Sequence, residues 1–240
     1  MQKKLNLNNF IYIFRFTVPI LLGYIPLGFG FGLYASQSGL PIFVSTLMSL
    51  FIYAGAGQYM AIGLFATGAT LSSILITELL LNIRHIVYGL SFISEFNECG
   101  KFKPYLIFAL TDETYSVLTT AHIPENISKT KFYFLVSALN HFYWVLGSLL
   151  GAIVGKILQN NTTFDFGGID FALTALFAVL FIEQIRSTKN YFASIVGVFC
   201  TILTVVLWRF GIISSSSNIL LFSLILGITI ILIFKGRDAK

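Results

Sequence analysis

The sequence predicts an all-α integral membrane protein, a polytopic bundle of about eight transmembrane helices. Three observations support this fold class. Of the 240 residues, 56% are hydrophobic and only 10% are charged, whereas soluble domains carry roughly a quarter charged residues. Apolar runs of roughly 20 residues, enough to cross the hydrocarbon of a bilayer as a helix, recur along the chain. The segments between these runs are short and rich in Gly, Pro, Ser and Asn, which is typical of turns.

Eight apolar runs define the predicted helices, and together they form a single transmembrane domain over residues 1–240. No connection between the runs is long enough to separate two domains. The first run is not followed by a small-residue cleavage site, so we expect it to remain as a helix. Acidic residues interrupt or flank the fourth and sixth runs. The runs lie near 16–35, 42–66, 69–94, 104–121, 132–155, 169–185, 191–209 and 218–234.

Basic residues indicate that both termini face the cytoplasm. With eight helices and both ends inside, ten of the 15 Lys and Arg residues fall in inside segments, in agreement with the positive-inside rule. The net charge of +5 therefore reflects membrane orientation and not nucleic-acid binding. The inside residues are Lys3, Lys4, Arg15, Lys129, Lys131, Arg186, Lys189, Lys235, Arg237 and Lys240.

Polar and ionisable side chains cluster within the third and fourth runs, where each charge costs roughly 2.5–3.5 kcal/mol on insertion scales. Glu78, Asn82 and His85 are spaced by four and three residues, which places them on one helical face. Arg84 points away from this face. The next run contains Asp112, which shares a face with Tyr115, Ser116 and Thr119, and also Glu113.

These clusters have two interpretations. In the first, Arg84 pairs with Asp112 or Glu113 as a structural ion pair, while Glu78 and His85 satisfy each other or lie at a helix interface. In the second, the clusters line a polar cavity through which a charged substrate or a proton passes. Their occurrence on consecutive helices favours the second interpretation for the set. For His141, beside Asn140, we expect hydrogen bonding at an interface.

Glycine and proline indicate breaks in the first two helices. The first run contains Pro26 within a glycine-rich segment at 23–32, and the second contains Gly55 and Gly57 before the polar Gln58. We expect both helices to be kinked or unwound near the middle of the membrane, which frees backbone dipoles to face a substrate. The alternative is close helix packing. We favour packing for Gly147, Gly151 and Gly155, and a functional role for Gly55, Gly57 and Gln58.

The sequence lacks the motifs of the common enzyme classes. It contains no GxxxxGK[ST] loop, no HExxH and no GxSxG. Cys99 and Cys200 do not have the spacing of a metal or redox site, and we expect free thiols. The protein is therefore predicted not to be an enzyme, with no catalytic residues, no metal site and no cofactor.

At these same residues the sequence resembles the AzlC family of branched-chain amino acid permeases. The similarity follows the family's order through most of the first three quarters of the chain, and the last two helices carry no matching motif. The similar segments are 26–30 in the first run, 51–58 in the second, 82–85 with 88–89 in the third, 111–113 in the fourth, and 170–177.

The resemblance implies export of leucine, isoleucine and valine across the bacterial inner membrane. It also implies that the chain is the large subunit of a secondary transporter with a small membrane partner of the AzlD type. The substrate carboxylate would meet Arg84 or amides near Gly55 to Gly57, and its ammonium group would meet Asp112 or Glu113. The alternatives are a channel or an accessory membrane subunit for another small zwitterionic or ionic solute.

Overall fold

A computed structural model describes residues 7–159, 178, 181, 182, 185, 191–213 and 219–238. Every regular element in these ranges is helical, which confirms the predicted all-α fold. The sixth predicted run, 169–185, and the segment 170–177 lie almost entirely outside the described residues. A short 3-10 helix at Gly100–Phe102 joins α5 to α6. The α-helices are α1 Leu7–Gln37, α2 Ile42–Phe51, α3 Gly55–Ala66, α4 Leu71–Ser91, α5 Ile93–Asn97, α6 Lys103–Phe108, α7 Asp112–Thr120, α8 Lys129–Gln159, α9 Tyr191–Arg209 and α10 Ile219–Asp238.

Four helices of the described ranges are long and apolar enough to cross a membrane, judged by length and composition. These are α1, α4, α8 and α9, and shorter apolar helices occur at Ile42–Phe51 and Ile219–Phe234. The chain divides into two compact units, one formed by Met1–Tyr59 and Asn82–Phe166 and the other by Met60–Leu81 and Gly167–Lys240. The prediction of one transmembrane domain stays a prediction.

In the first unit, α1 packs closely along α8 through glycines on both helices. A Cβ atom placed on Gly28 would lie 2.8 Å from the carbonyl oxygen of Trp144, and one on Gly147 would lie 2.7 Å from that of Ile25. A Cβ on Gly151 would overlap the carbonyl oxygen of Phe29. Small residues at this spacing let two backbones approach. The packing role expected for Gly147, Gly151 and Gly155 is confirmed.

The first predicted run does not unwind near Pro26, which corrects that part of the expectation, whereas a kink at this position stays a prediction. α1 continues from Leu7 to Gln37 with Pro19 and Pro26 inside it. Membrane helices tolerate the backbone bond lost at proline when neighbouring groups compensate. Two of the glycines that suggested a break on α1, Gly28 and Gly32, serve the contact with α8 instead.

The second predicted run is broken, as expected. α2 ends at Phe51 and α3 begins at Gly55, so residues 52–54 separate two helices. Tyr53 has a φ of 47°, in the left-handed region that non-glycine residues rarely adopt. The break therefore holds a strained residue, and tertiary contacts must compensate for that strain.

A second interruption, which the sequence analysis did not predict, divides the run 104–121. α6 ends at Phe108 and α7 begins at Asp112. The Thr111 side chain accepts a hydrogen bond from the Thr114 backbone N–H and so caps α7. The acidic pair that we placed in the middle of a helix therefore forms its first turn, where carboxylates are stabilised by the helix dipole.

An apolar core holds the short helices of the first unit against the beginning of α8. It includes Ile13 of α1, Phe96 of α5, Leu106 of α6 and Phe132 of α8, all of them fully buried. Leu118 of α7 belongs to the same cluster. This core fixes α6 and α7 in place, and the break between them is therefore held by packing on both sides.

In the second unit, α9 and α10 form an antiparallel pair. The rings of Phe192 and Phe234 lie 5.7 Å apart between centroids. Further along, a Cβ on Gly227 would lie 3.9 Å from the sulfur of Cys200. Cys200 is buried and, like Cys99, is a free thiol, as expected from the sequence.

Candidate functional site

The two helix breaks of the first unit meet around Tyr24, which lies near the middle of α1. Tyr53, in the break before α3, has its ring 6.4 Å from that of Tyr24 and 6.2 Å from that of Phe108, where α6 ends. The Tyr24 hydroxyl lies 2.7 Å from the Thr111 hydroxyl, which caps α7. Both interruptions therefore lie beside the same buried region, around the Tyr24 side chain.

A network of hydrogen bonds connects the polar side chains of this region. The Tyr24 hydroxyl donates to Oε2 of Glu113 over 2.6 Å. Thr111 donates to the Thr114 hydroxyl, which also accepts a bond of 3.0 Å from Nδ2 of Asn140. Tyr24, Thr111, Thr114 and Asn140 are each at most 8% exposed. We call these four residues and Glu113 the polar centre.

Glu113 supplies the carboxylate of the polar centre and has no cationic partner among the described residues. The ion pairs in that part of the chain are Arg84 with Asp112 and Lys129 with Glu95. A carboxylate away from water is costly unless it is protonated or meets a positive charge. The polar centre is therefore suited to a proton or to a cationic group of a ligand.

Two buried polar atoms on α8 point to the same conclusion. Oδ1 of Asn140 and Oγ of Ser137, one turn away on the same helical face, have no hydrogen-bond partner in the described part of the chain. Both residues are 0% exposed. An unsatisfied buried polar atom costs about 1–3 kcal/mol, so these atoms are suited to bonds with a polar ligand.

Gln58 bridges the first break. Its Nε2 donates to Ser49 Oγ of α2 over 3.1 Å, and its Oε1 accepts a bond of 2.8 Å from Trp144 Nε1 of α8. A Cβ placed on Gly55 would lie 3.2 Å from the Trp144 indole, and the Tyr24 and Trp144 rings are 5.5 Å apart. Trp144 thus connects the beginning of α3 to the polar centre.

A second group of polar side chains joins α4 to α7. Arg84 forms an ion pair of 2.7 Å with Asp112, and their side chains are 41% and 35% exposed. Tyr88 and Tyr115 stack with ring centroids 4.5 Å apart. His85 lies edge-on to Tyr88 at 6.1 Å. Arg84 and Asp112 compensate each other's charge, as in the structural interpretation of this pair.

The predicted site residues therefore separate into groups. Asp112 and Glu113, adjacent in sequence, contact α4 and α1 respectively, and the structure pairs Arg84 with the former. Gly55, Gly57 and Gln58 lie at the beginning of α3, with Gly57 and Gln58 buried. Asn82 and His85 are half-buried on α4. Glu78 lies in the part of α4 that belongs to the second unit.

Five residues of this region were missed as site residues: Tyr24, Thr111, Thr114, Asn140 and Trp144. A signal existed for Thr111, because Thr followed by two acidic residues is typical of a helix beginning. Asn140 was noted but assigned to a helix interface. No sequence signal identified Tyr24 or Trp144, whose roles depend on contacts between distant parts of the chain.

The chain contains apolar helices long enough to cross a membrane, and two of the predicted runs are interrupted beside buried polar groups. These features define a helical membrane protein with the architecture of a solute transporter. Comparison with known proteins defines the group more closely. The profile of the AzlC protein family matches residues 19–158. The chain belongs to the AzlC family, which is a family of transport proteins and not of enzymes.

Three relatives illustrate the range of similarity. An uncharacterized membrane protein of Helicobacter pylori is 39% identical over 224 residues, which cover 93% of this chain and 94% of the relative. The branched-chain amino acid transport protein AzlC of Bacillus subtilis is 35% identical over 195 residues, 81% and 75% of the two chains. The inner membrane protein YgaZ of Escherichia coli is 29% identical over 177 residues, 72% of each chain. No solved structure matches this chain.

The family match covers the region that contains the candidate site. Residues 19–158 include both breaks, the polar centre and the Arg84–Asp112 pair. They exclude α9 and α10, in agreement with the absence of a recognisable motif there. The transport function of the family and the buried polar groups therefore coincide in one part of the chain.

Proposed function

We propose that this protein exports branched-chain amino acids across the bacterial cytoplasmic membrane as the large subunit of a two-component secondary transporter. The observation that carries the proposal is the polar centre, in which the partly buried Glu113 lies beside the two helix breaks and has no cationic partner among the described residues. The name of the Bacillus subtilis relative supports the substrate class. Resemblance to the family supports the direction and the small AzlD-type partner.

Glu113 is the better of the two predicted ligands for the substrate ammonium group. Asp112 already pairs with Arg84, whereas the partners of Glu113 among the described residues are neutral groups, foremost the Tyr24 hydroxyl. An ammonium group would compensate the Glu113 charge and could also donate to Oδ1 of Asn140. Charge complementarity in a site of low dielectric makes this contact strong.

The beginning of α3 is the better candidate for the substrate carboxylate. Arg84 is engaged by Asp112, while the first turn of α3, at Gly55 to Gly57, presents backbone N–H groups and the positive end of the helix dipole. Glycine at Gly55 lets the backbone approach the Trp144 indole. Discontinuous helices bind the carboxylate of amino acids in this way in other secondary transporters.

Aromatic rings supply an apolar surface for an aliphatic side chain. Tyr24, Tyr53 and Trp144 are each at most 5% exposed and meet between the proposed ammonium and carboxylate contacts. Apolar rings accept a branched aliphatic group without leaving a polar atom unpaired. This arrangement favours leucine, isoleucine and valine over amino acids with charged side chains.

The proposal is tested by transport of labelled leucine in proteoliposomes that contain the protein with its small partner. Glu113→Gln removes the charge that would meet the ammonium group but keeps the size of the side chain. We expect it to lower the initial rate at least tenfold, because about 1.4 kcal/mol of lost binding corresponds to tenfold. Glu125→Gln, in an exposed loop, serves as the matched control and should leave the rate unchanged.

The same vesicles distinguish a carrier from the other classes. A carrier saturates with leucine and shows counterflow, in which internal unlabelled leucine drives uptake of label. Flux that rises linearly with concentration would indicate a channel, and no flux with the partner present would indicate an accessory subunit. Full transport by Glu113→Gln at a normal protein level would contradict the proposed ammonium contact.

A further inference from the structure

We propose that the protein binds an anionic phospholipid of the surrounding bilayer in a groove at the ends of α1, α2 and α8. The groove has a volume of about 740 Å³, which is within the range of small-molecule sites. It lies where the turn around Gly39 and Pro41 leads from α1 into α2, beside the last turns of α8. All the residues that line it belong to the first unit, and the inference is independent of the proposed transport function.

The groove has an apolar end and a polar end. Phe43, Leu47 and Leu149 line the apolar end, and Ser36, Lys156 and Gln159 line the polar end. Leu149 and Gln159 are ten residues apart on α8, which is a distance of about 15 Å along a helix. This length and this distribution of polarity match a phospholipid, with an acyl chain at one end and a phosphate at the other.

The position of the groove along the helices places it in one leaflet. α2 has 10 residues and is therefore about 15 Å long, about half of the hydrocarbon thickness of roughly 30 Å. It leads from the groove to the break at 52–54, beside the middle of α1. The apolar end thus lies at the depth of acyl chains and the polar end at the depth of headgroups. Phe43 and Leu47 are 66% and 45% exposed, so they are available for contact with an acyl chain.

The charge of the residues that line the groove indicates which kind of lipid it binds. Among the residues that line the groove, Lys156 is the charged one, and no acidic side chain is present. Lys156 forms no ion pair with the described residues. A phosphate could therefore meet the Lys156 ammonium group. A zwitterionic headgroup carries its own cation, so Lys156 favours a headgroup with a net negative charge, such as phosphatidylglycerol.

Native mass spectrometry of the purified full chain tests the proposal. The protein is incubated with phosphatidylglycerol or phosphatidylcholine of the same acyl chains, and the retained lipid is counted. We expect a preference of roughly three- to tenfold for phosphatidylglycerol, the effect of one lysine near a lipid phosphate. Lys156→Gln should abolish the preference. Lys101→Gln removes a lysine that is also exposed but lies outside the groove, and it should preserve the preference.

A second variant tests the apolar end. Leu149→Trp fills the space where an acyl chain would lie, and it should reduce retention of both lipids while Lys156→Gln reduces only the preference for the anionic one. Equal retention of the two lipids by the unmodified protein would overturn the proposal. So would an equal loss in Lys156→Gln and Lys101→Gln, which would indicate general surface charge. Crosslinking of a photoreactive residue at Phe43 to a protein in place of lipid would assign the groove to a protein partner.

Discussion

Whether a charged side chain of the first unit is compensated depends on the neighbours that the fold places beside it. Asp112 and Glu113 follow each other in the first turn of α7, yet one pairs with Arg84 and the other accepts a bond from Tyr24. Adjacent helical residues point about 100° apart, so they reach different neighbours. The paired charge is compensated within the protein, and Glu113 remains for a ligand or a proton.

The Arg84–Asp112 pair is expected to stabilise the protein without contacting the substrate. Arg84→Ala or Asp112→Ala alone leaves one charge uncompensated, which should lower stability by about 1 kcal/mol, a small value because both side chains are partly exposed. The double variant Arg84→Ala/Asp112→Ala should be no less stable than either single variant. Thermal unfolding in detergent measures the coupling by a double-mutant cycle.

Transport measurements on the same variants distinguish a structural role of the Arg84–Asp112 pair from a role in substrate binding. We expect the double variant to retain most of its leucine flux when rates are normalised to folded protein. If the double variant folds normally and has lost transport, Arg84 or Asp112 contacts the substrate, and the assignment of both substrate charges to Glu113 and the beginning of α3 is wrong.

At the scale of elements, the contact between α1 and α8 is the main constraint on the first unit. Glycines on both helices bring the backbones together, and the partners of Gly28 and Gly147 are main-chain atoms that cannot rotate away. Along this contact α1 remains helical past two prolines, and Tyr24 lies beside Trp144 and the two breaks. The polar centre therefore depends on the close approach of these two backbones, which the hydrogen bond between the Thr17 and Tyr143 hydroxyls also supports.

Alanine substitution tests this contact with a matched control. Gly151→Ala places a Cβ against the backbone of Phe29, whereas Gly23→Ala on α1 meets no atom within 4 Å. We expect Gly151→Ala to lower stability by about 1–3 kcal/mol through overpacking. Gly23→Ala should be neutral or stabilising by up to about 1 kcal/mol, because alanine is the better helix former. Thermal unfolding of the two variants in one detergent makes the comparison.

A smaller effect from Gly151→Ala than from Gly23→Ala would contradict the close approach of α1 and α8. Transport provides an independent readout, since a displaced α8 would separate Asn140 from Thr114 and Trp144 from Gln58. We therefore expect leucine flux to fall with stability in Gly151→Ala and to remain normal in Gly23→Ala.

The sequence predicted the helices well and the breaks only in part. Apolar runs fix which segments are helical, because burial in lipid requires an internally bonded backbone. The break before Gly55 was predicted from small residues followed by Gln58. The break before Asp112 was missed because Thr111, Asp112 and Glu113 were interpreted as side chains on one continuous helix and not as the capped beginning of a new one. The unwinding expected at Pro26 was wrong, because α1 remains helical where it packs against α8.

The candidate site was predictable to the extent that it depends on charge. Glu113, Arg84 and Asp112 stand out in an apolar sequence, and their burial cost makes them informative. Tyr24 and Trp144 do not stand out, since aromatic side chains make up 16% of the sequence. Their importance follows from contacts across 86 to 89 residues of chain, such as Trp144 with Gln58 and Tyr24 with Glu113. Such pairings are set by the fold and not by a local pattern.

At the scale of the whole molecule, the chain combines helices that can cross a membrane with a polar centre that we propose binds a zwitterion. α1 has 31 residues and is about 46 Å long, more than the roughly 30 Å of hydrocarbon. Tyr24 near its middle places the polar centre close to the centre of the bilayer. Secondary transporters bind substrate at this depth, where access from either side can alternate.

The most direct test of the central claim is substrate protection of a single thiol beside the polar centre. Ser137→Cys is introduced into a protein with Cys99→Ala and Cys200→Ala, which removes both native thiols. Labelling by a membrane-permeant maleimide is followed in proteoliposomes with and without leucine. We predict that leucine slows labelling in the concentration range in which it saturates transport, that aspartate does not, and that Glu113→Gln abolishes the protection. If the variant transports leucine but leucine does not change its labelling rate, the claim that the substrate binds at this centre is contradicted.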